Sequence, residues 1–198
     1  MKNARLIRIA LASLVGLAVA AGIAWWQVNS AARMTSTGLP PLGGPFTLVD
    51  HTGRTVTQAD FGPVLRLIYF GYTYCPDVCP TELSAMAGAL DRLGADGSRV
   101  QPLFISIDPA RDTVPHMAEY VPLFHPRLIG LTGSAEQVAA AARAYRVYYA
   151  KAQNGGTTDY LMDHSSFVYL TAPDGTVKTV FPAKTTPEAM AEGIRKQL

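Results

Sequence analysis

The sequence predicts an α/β fold, a mixed sheet with helices on both faces, preceded by one transmembrane helix. Three observations point to it. Residues 9–26 (IALASLVGLAVAAGIAWW) form an eighteen-residue run without a charge, close to the length a helix needs to cross a hydrocarbon core. Beyond that run, continuous apolar stretches at 64–70 and 100–107 alternate with segments whose apolar residues recur at helical spacing, as strands buried on both faces do when helices cover them. Two turn-forming tetrapeptides, Asp50-His51-Thr52-Gly53 and Ala172-Pro173-Asp174-Gly175, each separate short β-prone runs, the arrangement of a hairpin.

At the amino end, Lys2, Arg5 and Arg8 precede the apolar run, and the positive-inside rule keeps that side in the cytoplasm. Residues 1–8 are therefore expected to be cytoplasmic, 9–28 to be the membrane anchor, and everything after Val28 to lie outside. Trp25 and Trp26 stand where an interfacial aromatic belt would hold them. A cleaved signal peptide is the alternative, because Ala18-Val19-Ala20 can pass for a small-residue processing site. No cysteine lies near the head to carry a lipid, and the eight residues before the span leave no room for an Arg- and Ser-rich mitochondrial transit peptide. The expected placement is a single pass through a bacterial inner membrane, with the soluble domain in the periplasm. Residues 29–44, small, polar and rich in Pro and Gly, read as a flexible tether, and 45–198 as one domain of ordinary size.

Charge and composition narrow the partners. The chain has 17 Lys and Arg against 15 Asp and Glu, but Lys2, Arg5, Arg8 and Arg33 all precede the domain and leave 13 against 15 within it. A basic stripe is absent, which argues against nucleic acid as a partner. With 48% of residues hydrophobic and 16% charged, the composition fits a globular domain plus one membrane segment and not a disordered chain.

The elements follow in order. Residues 46–49 and 54–56 form the first hairpin, and 64–70 (VLRLIYF) a strand buried on both faces that runs into Gly71-Tyr72-Thr73-Tyr74-Cys75. Pro80 suits a first helical position, after which Leu83, Met86, Ala87, Leu90 and Leu93 recur at helical spacing until Gly94 ends the segment. A second buried strand is expected at 100–107, a helix at 113–121 and a third strand at 128–131. Ser134 with Gln137 makes a capping box ahead of an Ala-rich helix through Tyr145. A strand near 147–150, a mobile loop at Gly155-Gly156, a second hairpin from 166–170 and 176–181, and a final helix capped by Thr186-Pro187 complete the chain. No internal repeat is visible. Strands alternating with helices, closed by a hairpin and a helix, are what a thioredoxin-like fold requires.

The chain has two cysteines, four apart in Cys75-Pro76-Asp77-Val78-Cys79 at a strand-to-helix junction. This spacing brings both sulfurs to one side of a single turn. The helix amino terminus favours thiolate over thiol, because unpaired backbone N–H groups and the macrodipole stabilise negative charge there. A structural disulfide is the alternative, since the extracytoplasmic setting permits one. It would close too short a loop to remove much unfolded-state entropy, in a domain large enough to stand on its core. The gap also differs from the two-residue spacing of ordinary thioredoxin-type redox motifs.

His164, in Leu161-Met162-Asp163-His164-Ser165, precedes a predicted strand after a Gly-containing loop. Two thiolates and one imidazole would be a soft set that suits three-coordinate Cu(I) and accepts Cu(II), whereas zinc normally takes four ligands. Taken alone, a histidine at the start of a strand is more often a packed or surface residue. His51, His116 and His125 fall in turns or on a helix and fit that plainer reading. Asp77, between the cysteines, is equally an acidic residue at a helix start. Asp108, Arg111 and Asp112 follow the second central strand, where open α/β sheets place their sites, and read as an Arg–carboxylate clamp that fixes the loop.

Taken together, Phe70 to Pro80 (FGYTYCPDVCP), Ile107-Asp108-Pro109-Ala110-Arg111-Asp112-Thr113, Leu131-Thr132-Gly133-Ser134 and Asp163-His164-Ser165 resemble Sco/SenC proteins in order and spacing, from Gly44 to the carboxy end. The resemblance implies a thioredoxin-like fold, one amino-terminal anchor, and copper delivery to the CuA centre of a cytochrome c oxidase subunit. It carries the copper ligands onto Cys75, Cys79 and His164. It further implies an upstream copper donor and a thioredoxin-like reductant as partners. The expected role is a metallochaperone and not an enzyme. The rival role is a thiol–disulfide reductase that keeps the oxidase's copper-ligand cysteines reduced. His164 separates the two, because dithiol exchange needs no imidazole beside the cysteines and a copper site does. A peroxidase reading would rest on the fold alone.

Overall fold

The apolar run at 64–70 becomes an interior strand of the sheet. Strand β3 (Leu65–Gly71) pairs in parallel with β4 (Val100–Ser106), Tyr69 opposite Phe104, and on its other side antiparallel with β8 (Val168–Thr171). The computed structural model describes residues 41–152 and 160–198, together with Gly16, Val19 and Gly22, which are helical. Residues Pro41–Leu198 make one compact unit. Its main sheet has seven strands in the order β2-β1-β5-β4-β3-β8-β9, with β1 (Thr47–Asp50), β2 (Thr55–Thr57), β5 (Ile129–Thr132) and β9 (Val177–Phe181). Two further short strands, β6 (Tyr149–Lys151) and β7 (Met162–His164), pair only with each other.

Alternation along β3 distributes the helices. Tyr69, Phe104 and Phe181 share one face by register. That face meets Cys79 of α1 (Val78–Leu93), whose sulfur lies 3.7 Å from the Tyr69 hydroxyl, and Tyr120 of α2 (Val114–Tyr120), whose ring stacks at 5.8 Å on Phe104. Helix α4 (Pro187–Arg195) packs along α1, and Arg195 donates to the Arg92 carbonyl. Phe70, the next residue in β3, points the opposite way and meets Tyr145, the residue closing α3 (Ala135–Ala144), at 5.3 Å. A mixed sheet with helices on both faces is thus in place, because period-two strands buried on both sides need cover on both.

Local signals account for most boundaries. Asp50 closes the first hairpin by accepting from the Thr52 and Arg54 backbone N–H groups and the Thr52 hydroxyl, as an Asx turn should. Ser134 and Gln137 form the reciprocal capping box, and Thr186 accepts from the Ala189 N–H to start α4. Three expectations need correction. Helix α1 starts at Val78 with Asp77 as its N-cap, so Pro80 is the third helical residue and not the first; first-turn N–H groups have no intrahelical acceptor, and a proline is tolerated at any of them. The strand expected near 147–150 begins at Tyr149 and stays out of the main sheet. The segment ahead of the second hairpin, expected as loop, holds a further strand, β7, which His164 ends before β8 follows as expected.

The core holds two charged side chains that the apolar pattern concealed. Arg66 is buried in β3 and donates to the Gln58 and Gly62 carbonyls at 2.5 and 2.8 Å. Glu82 is buried on α1 and accepts from the Lys184 N–H at 2.7 Å. At the start of the unit, Gly43 bridges to Thr176 with φ +90°, and a Cβ there would stand 2.3 Å from the Gly175 carbonyl oxygen. Chain contacts therefore begin before Pro45. The expected cytoplasmic segment and membrane anchor lie outside the described residues, apart from Gly16, Val19 and Gly22, and so does the Gly155-Gly156 loop. Among the described residues, no helix is long and apolar enough to cross a membrane.

Candidate metal centre

The cysteine half of the site is built by the end of β3 and the first turn of α1. Because the helix starts at Val78, the Cys79 N–H is one of the orphan donors of the first turn, and it donates to the Cys75 sulfur at 3.4 Å. Gly71 makes the close approach possible. A Cβ on it would lie 2.8 Å from the Cys79 sulfur and 2.9 Å from the Tyr69 ring. Cys79 is fully buried, Cys75 is 9% exposed, and the two are not bonded to each other. The hydrogen bond from Cys79 draws the Cys75 thiol down to about 3, against the cost of burial and with help from His164 and the Asp77 and Cys79 backbone N–H groups. Cys79 moves up, because its proton is held by Cys75 and because it is buried. Asp77 is exposed and makes no side-chain capping bond.

The histidine half is built by the β6–β7 hairpin, in which Tyr149 faces His164 across the pair. The His164 Nδ1 lies 3.0 Å from the Ser165 carbonyl oxygen, to which it donates as the assigned N–H. Its Nε2, the ring nitrogen that faces the site, lies 3.5 Å from the Cys79 sulfur. Tyr69 and Tyr72 present their rings edge-on to the imidazole at 6.2 and 5.9 Å. The ligand atoms of Cys75, Cys79 and His164 all lie within 4.8 Å of one another, and no other such cluster occurs among the described residues. Two sulfurs and one imidazole nitrogen, with no carboxylate among them, fit a soft ion such as copper.

The clamp expected at Asp108, Arg111 and Asp112 holds both halves. Buried Asp112 accepts from the Thr73 hydroxyl and the Ser106 hydroxyl, each at 2.6 Å, and from the Thr73 N–H at 3.2 Å, tying the cysteine loop to the end of β4. Arg111 pairs with Asp108 at 2.5 Å and donates to the Tyr160 carbonyl at 2.9 Å, four residues before His164. The other histidines stay out of the cluster. His51 and His125 accept the Gly130 and Arg127 N–H groups on their Nδ1 atoms, and His116 stacks on Tyr74 at 5.1 Å. Sequence reasoning did not assign roles to Gly71, Tyr69, Tyr72 or Tyr160. The aromatic density of the Tyr69 to Tyr74 stretch was the available signal for the first three.

Comparison with known proteins agrees with this geometry. The SCO1/SenC family model matches residues 34–198. The chain is 44% identical over 174 residues to the mitochondrial protein SCO2 homolog of Bos taurus, covering 87% of this chain and 64% of that protein. It is 44% identical over 160 residues to protein SenC of Rhodobacter capsulatus, covering 81% and 72%. The structure of Arabidopsis thaliana ScoI with copper bound superposes with a TM-score of 0.74 at 43% identity, over 79% of this chain and 97% of that one. The thioredoxin-like fold is thus shared with these relatives, and this chain belongs to the SCO1/SenC family.

Proposed function

We propose that the protein is a copper metallochaperone that holds one copper ion with Cys75, Cys79 and His164 and delivers it to the CuA centre during cytochrome c oxidase assembly. The convergence of two sulfurs and one imidazole nitrogen within 4.8 Å carries the reading. The bovine, Rhodobacter and Arabidopsis relatives support it, the last having copper bound. The donor set explains how cargo can be both held and passed on. Cys75, at the more exposed edge of the pair and already drawn toward thiolate, is the sulfur a recipient's ligands reach first, and ligand exchange then proceeds one donor at a time. Residues 9–28 anchor the chain in a bacterial inner membrane, 29–44 tether it, and the domain from 45 works in the periplasm with an upstream copper donor and a thioredoxin-like reductant. The uncharged run, the three preceding basic residues and the Trp25-Trp26 pair support this placement. Mass spectrometry of membrane fractions should find the intact amino terminus; a soluble form beginning near Ala21 would overturn the anchor.

A thiol–disulfide reductase is the second reading, favoured by one observation: Cys75 is drawn down and Cys79 pushed up, as in a nucleophile with its resolving partner. Copper titration of the full chain, with and without His164→Ala, decides between them. The chaperone reading expects one copper per chain, a thiolate-to-Cu(II) charge-transfer band, and loss of Cu(II) affinity by orders of magnitude in the variant. Preference for zinc in competition, or a variant that binds copper and supports oxidase assembly as the wild type does, would transfer the case to the reductase.

A further inference from the structure

The two halves of the site are held by different contacts from one short loop. Asp112 reaches back to Thr73 and holds the cysteines. Arg111 lies 4.7 and 5.6 Å from the Tyr74 and Tyr72 rings of the cysteine loop but grips the histidine segment more closely. Its Nη1 donates to the Tyr160 carbonyl at 2.9 Å, its guanidinium lies 3.7 Å from the centre of the Tyr160 ring, and its Nε pairs with Asp108. Tyr160 closes the circle by donating its hydroxyl to Asp108 at 2.7 Å. Asp108 is itself buried and fixed by its N–H to the Ser106 hydroxyl at the end of β4. The clasp is thus rooted in the central sheet, while what it grips is the start of the segment that carries His164.

The grip has a reason. Strands β6 and β7 are three residues each and share no ladder with the main sheet, and a lone two-stranded hairpin is marginal in water. The remaining polar tie from the cysteine loop is the Met162 N–H to the Tyr72 hydroxyl, at 3.2 Å. Without another attachment the imidazole would wander relative to the sulfurs. Arginine suits the task and lysine does not, because a planar fork can pair with a carboxylate, donate to a carbonyl and lie on an aromatic ring at once.

We propose that Arg111 is a positioning residue for the histidine ligand: by clasping Tyr160 against Asp108 it sets where His164 stands over the two sulfurs, and so sets how far the site prefers Cu(II) over Cu(I). The inference rests on the copper reading above. Two thiolates satisfy Cu(I) without nitrogen, whereas Cu(II) depends on the imidazole, so a displaced His164 is felt by one oxidation state and not by the other.

The test uses Arg111→Lys and Tyr160→Phe in the full chain, each alone and each combined with His164→Ala. Cu(II) and Cu(I) affinities are measured by chelator competition, with the charge-transfer band as the spectroscopic signature. Each single variant should weaken Cu(II) by about 10- to 100-fold, the usual cost of removing a group that orients a metal ligand, shift the band, and leave Cu(I) affinity unchanged. In the His164→Ala background neither should weaken Cu(II) further, because the clasp reaches the copper through that ring. Tyr160→Phe removes one hydroxyl from a half-buried side chain and carries the test should Arg111→Lys fail to fold. Equal loss of Cu(I) and Cu(II), an effect that persists without His164, or an unchanged Cu(II) affinity would each overturn the proposal. A wild-type chain that binds no copper would instead overturn the copper reading and this inference with it.

Discussion

The cysteine half and the histidine half of this site are built on opposite principles. Cys79 lies where the central strand, the first turn of α1 and the Tyr69 and Phe104 rings meet, so closely that Gly71 has no room for a methyl group. His164 sits on a hairpin of two three-residue strands outside the main sheet, gripped by the Arg111 clasp at Tyr160. Close-packed interiors resist displacement and small peripheral elements do not. One half is therefore a fixed platform and the other an adjustable arm.

The contrast can be broken most completely at the sulfurs. Cys75→Ser and Cys79→Ser should each abolish tight copper binding and its charge-transfer band, while circular dichroism and the urea midpoint stay close to wild type, because neither thiol carries the fold. Asp112→Ala should come next. It strands the Thr73 and Ser106 donors in a buried site and should cost about 3 kcal/mol of stability, hydrogen bonds to a charged acceptor being worth 1.5–3 kcal/mol each. Copper titrations of this variant should weaken Cu(I) and Cu(II) together, since the platform and not the arm has moved.

Gly71→Ala tests the platform with one methyl group. The Cβ would meet the Cys79 sulfur at 2.8 Å and the Phe104 ring at 3.0 Å, and overpacking of this kind costs about 1–3 kcal/mol; urea unfolding measures the loss, and a shifted charge-transfer band reports the displaced sulfur. The smallest effect is a slope. Burial raises the Glu82 carboxyl above its ordinary 4.5, while the Lys184 N–H opposes the shift. The folded state then binds this proton more tightly than the unfolded chain does. The contribution is fully present below the unfolded value and is lost as pH rises through the folded one. Glu82→Gln should flatten the fall of unfolding free energy above about pH 4.5, and a variant with the wild-type slope would show that Glu82 is not the titrating group.

What could be read in advance divides along the same line. The platform is local in sequence. The apolar run of β3, the heptad-like spacing of α1, and the turn at Asp50 all announce themselves within a dozen residues, and so do the paired cysteines. The error at Pro80 was of two residues and arose because the first turn of a helix makes no demand on its N–H groups. The arm is not local. Met162-Asp163-His164 has neither alternation nor β-branched residues, and it becomes a strand only because Tyr149–Lys151 lies beside it. That pairing joins residues more than ten apart across a loop with no pattern of its own. Arg66 and Glu82 were hidden for a related reason: a charge inside an apolar run looks like its exposed member until the carbonyls of Gln58 and Gly62, or the N–H of Lys184, are seen to partner it.

The parallel pairing of β3 with β4 has a consequence in time. Parallel neighbours need a crossover between them, and here the crossover is α1, which carries Cys79 in its first turn. Closing the middle of the sheet and sealing that sulfur are therefore one step. During folding the thiol meets oxidants and stray ions only in the interval before β4 docks. After that step, any reagent must come by way of Cys75 and the imidazole, so the order of folding also protects the site.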